Sequence, residues 1–136
     1  MRENSSDANL WWQQAQADLE TAEINWRNKR YYACSFFSQQ AVEKALKAII
    51  IAETKKMPPK IHRLYELSSV ILTHEEIKEI LEKIRKVDLA YLASRYPDMP
   101  AKKTAAETID SQTAWDHYFD AKEVIEWLQK KFQIQS

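Results

Sequence analysis

Hydrophobic and polar positions recur at helical spacing along the chain, and no segment alternates with period two. Trp11, Ala15, Leu19, Ala22 and Trp26 lie three or four residues apart, which predicts a helix over about 8–29 with one buried stripe and Asp7 as its N-cap. After a polar corner at 28–30 comes the stretch that organises the rest, YYACSFFSQQAVEKALKAIII at 31–51. It contains neither Gly nor Pro, so nothing in it breaks a helix. On a helical wheel Ala41, Ala45, Ala48 and Ala52 form a small-residue seam continued by Val42, Leu46 and Ile49. Gln40, Glu43, Lys44 and Lys47 share the other side with Phe36. So broad an apolar arc requires more than one neighbour, and the alanines let another helix approach closely. Residues 31–51 therefore read as a central helix, with the first helix antiparallel beside it because the connection is short.

The prolines of KKMPPK at 55–60 end the central helix. Residues 61–71 predict a short helix carrying Leu64, Leu67, Val70 and Ile71, with His62 at its start. Thr73 and Glu76 fit a T-x-x-E capping box for a further helix, whose inner side is Ile77, Ile80, Leu81, Ile84, Val87 and Tyr91. Arg95-Tyr96-Pro97 closes it, since the residue before a proline is pushed out of the helical region. Residues 98–109 show no period and read as a loop, long for a compact bundle. Asp110 caps a last helix to about Phe132, with a stripe of Trp115, Tyr118, Ala121, Ile125, Leu128 and Phe132. The predicted fold is all-α: an antiparallel up-and-down four-helix bundle with an additional short helix. Residues 1–136 form one domain, and residues 1–6 are a frayed polar start.

Charge and composition narrow the chemistry. Twenty basic and twenty acidic residues cancel, so strong non-specific nucleic-acid binding is not expected and any anion site must be local. The absence of glycine argues against Gly-rich phosphate loops and dinucleotide-binding turns. A single cysteine, Cys34, excludes an internal disulfide and fits a reducing cytoplasm. No apolar run approaches the ~20 residues of a membrane span. Three scattered histidines and one thiol lack the spacing of a structural zinc site, and no cofactor motif is present. Five tryptophans and six tyrosines exceed what a bundle of this size can bury, so some are expected to meet a second copy or another protein.

Candidate ligand groups fall in three places. Lys44 and Lys47 with Gln40 and Glu43 can hold a phosphate and hydrogen-bond a base, with Phe36 available for stacking. The plainer alternative is a solvated face, on which Glu43 and Lys47 form an i,i+4 pair worth about 0.3–0.5 kcal/mol. Arg95 and Tyr96 mark the junction with the long loop: a guanidinium fork suits phosphate, or else Arg95 pairs with Asp98 or Asp88 while Tyr96 plugs the bundle end. His62 is either an anion or acid–base group or a helix cap.

YYACSFFSQQAVEKALKA at 31–48, HRLYEL at 62–67, RYP at 95–97 and W-x5-D-L at 12–19 together resemble HEPN domains, named for higher eukaryotes and prokaryotes nucleotide-binding. The resemblance implies an up-and-down helical bundle that forms homodimers and pairs with a small nucleotidyltransferase in toxin–antitoxin modules. It also implies, for many members, metal-independent ribonuclease activity from an R-x4–6-H motif. Here the positions that Arg95 would need are Pro100, Ala101 and Lys102, and no other arginine has a histidine at that spacing. No catalytic residue is therefore assigned. The expected function is a nucleotide-associated binding module acting with a nucleotidyltransferase, with candidate ligand contacts at Phe36, Gln40, Glu43, Lys44, Lys47, His62, Arg95 and Tyr96. The rivals are a ribonuclease with a degenerate centre of Arg95, His62 and Tyr96, and a purely structural interaction bundle.

Overall fold

The computed structural model describes residues 6–135, so residues 1–5 of the expected polar start lie outside the described residues. Ser6, counted in that start, opens α1 (Ser6–Arg27), and Asp7 sits in the first turn rather than at the cap. There its carboxylate meets the positive end of the helix dipole. The long helix α2 (Tyr31–Thr54) follows, then α3 (Leu64–Ile71), α4 (His74–Lys78), α5 (Leu81–Ala93), α6 (Ala105–Thr108) and α7 (Ser111–Lys131). The fold is all-α, with α1, α2, α5 and α7 building the core.

Side-chain contacts give the helix directions. Asp18 meets Lys44, and Ala8 packs with Ile51 and Ala52, so α1 and α2 run antiparallel. Tyr118 donates to Glu23 and Trp26 to the Ser111 carbonyl, which sets α7 antiparallel to α1. Lys83 lies near Glu123, on the opposite course of α5. Centrality of α2 follows from burial: Ala41, Val42, Ala45, Leu46 and Ala48 are inaccessible to solvent. Small side chains on this seam let α1 and α7 close around it, and Leu46, Ile49 and Ile84 fill the space between helices.

The short elements depart from expectation. The box at Thr73 forms in full, with Glu76 N–H donating to the Thr73 hydroxyl at 3.2 Å and Thr73 N–H to the Glu76 carboxylate at 2.8 Å. It opens only α4, however. The backbone tightens to i,i+3 bonds at Glu79 and Ile80, and Ile80 leaves helical geometry at φ −121° and ψ 4°. No Gly or Pro causes this break. Ile77, Ile80 and Ile84 all reach the core, as their i, i+3, i+7 spacing also would in a continuous helix.

The loop at 98–109 likewise contains α6, capped by a second complete T-x-x-E box at Thr104 and Glu107. Its end buries Ile109 beneath Ala22 and Cys34. Among the described residues there are thus three short helices, not one. The final helix begins as expected, with Asp110 accepting from Thr113 N–H at 2.8 Å.

Without glycine, the described residues that turn left-handed are three lysines and a glutamine: Lys29, Lys55, Lys102 and Gln133 have φ of 64°, 62°, 59° and 53°. A non-glycine residue there costs about 1 kcal/mol, and the Lys55 N–H offsets part of it by closing α2 onto the Ile51 carbonyl at 2.9 Å.

Candidate functional site

The polar face of α2 is not a solvated surface. Glu43 and Lys47, one helical turn apart, retain 5% and 7% exposure, and Gln39 only 1%. The Lys47 ammonium donates to Glu43 Oε2 at 3.1 Å, and Gln39 Nε2 to Glu43 Oε1 at 3.3 Å. Burying such a pair is tolerable only because each charge faces the other and the spare carboxylate lone pairs find donors. Lys47 also lies over the Trp11 ring, 5.9 Å from its centroid.

The third group on Glu43 is His62, whose Nδ1 lies 3.3 Å from Oε2. His62 precedes α3 by two residues rather than starting it. Its position is held by two elements. Gln39 Nε2 donates to the His62 carbonyl at 3.1 Å, and the Leu64 N–H donates to both Asp88 oxygens at 3.2 and 3.3 Å. Asp88 on α5 thus caps α3 from across the bundle. Burial, with the Glu43 carboxylate nearby, lifts Asp88 above the ordinary carboxylate range, against the pull of that N–H and of Arg63.

From His62 the cluster continues along aromatic rings. Its imidazole stacks on Tyr91 at 5.2 Å between centroids and 19° between planes. The Arg95 guanidinium carbon lies 4.3 Å from the Tyr91 centroid and 4.6 Å from that of Phe36. The sequence alternatives for Arg95 and Tyr96 do not occur. Asp88 is engaged at Leu64, Asp98 accepts from the Ala101 N–H, and Tyr96 is 58% exposed rather than plugging the bundle end. Arg95 has no carboxylate partner among the described residues, and its Nε is buried without a hydrogen bond. Beside it Tyr32, Ala33, Phe36, Phe37, Ser94 and Tyr96 complete an open groove of about 450 Å³. That size lies within the range of small-molecule sites.

Six of the eight candidates therefore lie in one continuous row: Lys47, Glu43, His62, Arg95, Phe36 and Tyr96. Gln40 joins from behind, donating to Gln39 Oε1 at 2.9 Å. Lys44 stands apart, its ammonium 2.6 Å from Asp18 in an ion pair that ties α2 to α1. Residues the sequence did not single out complete the row. By pattern Tyr91 reads as a core position, and Gln39, Tyr32 and Phe37 carry no ligand assignment. The signal for Tyr91 is its place one turn before Arg95, which puts ring and guanidinium on one face.

Two reactive-looking groups belong to the core instead. Burial pushes the Cys34 thiol up to about 12, where it is no nucleophile. His117 lies 2.7 Å from the Ser35 hydroxyl through Nδ1, and burial lowers its pKa despite Asp116 nearby. Among the described residues no cluster of three His, Cys, Asp or Glu side chains is placed to hold a metal ion. No helix there is long and apolar enough to cross a membrane.

The sequence profile of the HEPN domain matches residues 8–131, and this chain belongs to the HEPN domain family. A crystal structure of ST0689, an archaeal HEPN homologue, superposes with a TM-score of 0.74 at 27% identity, covering 91% of this chain and 96% of that one. The crystal structure of TT1696 from Thermus thermophilus is similar in fold, with a TM-score of 0.79 at 24% identity over 91% of this chain and 97% of that one. In sequence the chain is also similar to "Putative toxin MJ1304" of Methanocaldococcus jannaschii, 28% identical over 101 residues. That match takes in 70% of this chain and 66% of the relative's length.

Proposed function

We propose that this protein is the HEPN partner of a toxin–antitoxin type pair: a cytoplasmic homodimer that acts with a small nucleotidyltransferase and holds a nucleotide in the groove beside Arg95. The observation that carries the nucleotide site is the Arg95 guanidinium, flanked by Phe36 and Tyr91 and free of any carboxylate among the described residues. A planar fork of N–H donors in that state suits a phosphate. The exposed Tyr96 and the half-buried Phe36 offer faces on which a base can stack. Family membership and the toxin named among the relatives support the biological setting. Glu43 and Lys47 form the buried end of the row with Gln40 bonded to Gln39 beside it, and Lys44, paired with Asp18, takes no part in the groove.

Thermal unfolding with nucleoside mono-, di- and triphosphates tests the site. A ligand at a hundred times its Kd adds about 2.7 kcal/mol, a rise of several degrees in Tm. The rise is expected in the wild type and lost in Arg95→Ala; no rise with any nucleotide at millimolar concentration rejects the reading. Co-purification from the native cell tests the partner, and sedimentation tests the dimer against the 16.1 kDa chain mass.

One observation favours a second reading, a metal-independent ribonuclease. His62 and Arg95 lie far apart in sequence, yet both pack on the Tyr91 ring. An Arg–His pair is thereby assembled by tertiary contact rather than by R-x4–6-H, and such a pair can stabilise phosphate charge and move a proton. Cleavage of RNA in the presence of a chelator, abolished by Arg95→Ala, would establish it, and RNA left intact at high protein concentration would dismiss it.

A further inference from the structure

The Glu43–His62 contact decides more than the place of the imidazole. We infer that Glu43 is a positioning residue that keeps a proton on His62 Nδ1, so that in the neutral ring Nε2 is the atom offered to the ligand, as a hydrogen-bond acceptor. Glu43 is a carboxylate paired with Lys47, and a carboxylate only accepts hydrogen bonds. Its neighbours Lys47 Nζ and Gln39 Nε2 are both donors. The Nδ1 atom 3.3 Å from Oε2 must therefore donate as well. When the ring is neutral its one remaining nitrogen, Nε2, carries a lone pair.

Nε2 has no protein partner among the described residues, and the side chain is 52% exposed. The tautomer cannot easily relax, because Gln39 holds the His62 carbonyl, Tyr91 holds the ring, and Glu43 is itself pinned from two sides. Arg95, against the same Tyr91 ring, is left as the phosphate ligand. With the ring neutral, the group that reaches Nε2 is a donor: a sugar hydroxyl or a base amino group. This second half rests on the nucleotide reading above, whereas the tautomer does not.

Long-range nitrogen–proton NMR spectra of the 15N-labelled wild-type protein, recorded with the histidines neutral, read the tautomer directly. The expected pattern is a protonated Nδ1 and a bare Nε2 for His62, shifting toward Nε2–H in Glu43→Leu/Lys47→Met, which removes the acceptor without leaving a buried unpaired ammonium. Dominant Nε2–H in the wild type overturns the inference, as does an unchanged tautomer in a folded Glu43→Leu/Lys47→Met. Binding of AMP is then compared with its 2′,3′-dideoxy analogue and with purine riboside monophosphate, which lacks the amino group. Loss of one net hydrogen bond weakens binding about two- to twelvefold. Weaker binding of the dideoxy analogue assigns the sugar hydroxyls, and weaker binding of purine riboside monophosphate assigns the base. Equal affinities of all three overturn the acceptor role. No binding of any, with the tautomer as expected, rejects the nucleotide site and the acceptor role while the role of Glu43 in setting the tautomer stands.

Discussion

Lys47→Met separates two descriptions of the α2 polar face. As an exposed i,i+4 pair, Glu43–Lys47 would contribute about 0.3–0.5 kcal/mol. In the fold the side chains are only 7% and 9% exposed, with 3.1 Å between charged atoms. At an effective dielectric near 20 the gross attraction at that separation is about 5 kcal/mol, opposed by desolvation. Removing the ammonium while keeping the stem's volume strands the Glu43 carboxylate with only Gln39 and His62 as donors. A stranded buried charge costs about 3–5 kcal/mol, and the half-exposed His62 places the expected loss near 3. Urea unfolding at pH 7.5 measures it, with Glu43→Gln/Lys47→Met as the partner experiment. Neutralising both groups should recover at least about 1 kcal/mol relative to Lys47→Met, since the penalty lies in the unpaired charge rather than in a lost contact. If Lys47→Met falls within about 0.5 kcal/mol of wild type, the pair behaves as a surface pair and the buried-network description is wrong.

Stability should fall as pH drops from about 7 toward 5, by at most about 1.4 kcal/mol per pH unit from this one group. His117 is buried with its pKa lowered, so between the unfolded and folded values only the unfolded chain takes up the proton. Comparing denaturant midpoints of wild type and His117→Asn at the two pH values checks this, and the variant should show the shallower dependence. Leu46→Ala, at a site fully closed to solvent, should cost about 3–4 kcal/mol in the same assay. The opposite change, Ala45→Leu, should cost about 1–3 kcal/mol by forcing neighbouring helices away from the α2 seam. Cys34, with its thiol pushed up to about 12, should resist a disulfide reagent at pH 8 in the native protein and react rapidly in urea.

The tryptophans and tyrosines are not all buried: Tyr96 is 58% and Tyr65 38% exposed. Trp12 is 3% exposed, and Trp11, Trp26, Trp115 and Trp127 are half-buried. Trp26 and Trp115 reach this by packing on each other at 4.7 Å. Apolar side chains are also left outside, among them Leu89, Leu92 and Met99 on and beyond α5 at 71%, 64% and 66% exposure, and Leu10 and Met57 elsewhere at 64% and 69%. Their positions carry no periodic signal that separates a solvent face from a contact face.

The helices α1, α2 and α7 were legible in the chain because each repeats its apolar residues at intervals that only a helix brings to one side, with Asp110 and the prolines after α2 marking limits. The break at Ile80 was not legible, since the helical spacing of apolar residues runs straight through it and no Gly or Pro marks it. The helix α6 was missed, since its four residues are too short to show a period and its T-x-x-E box was the only local signal. For the site, the chain offered the residue types Lys47, His62 and Arg95 on three separate segments. Only tertiary packing made Glu43 a buried acceptor, set His62 and Arg95 on one tyrosine ring, and withdrew Lys44 to Asp18. Helical periodicity is a property of neighbours along the chain, whereas the environment of a charge depends on which distant segments exclude water from it.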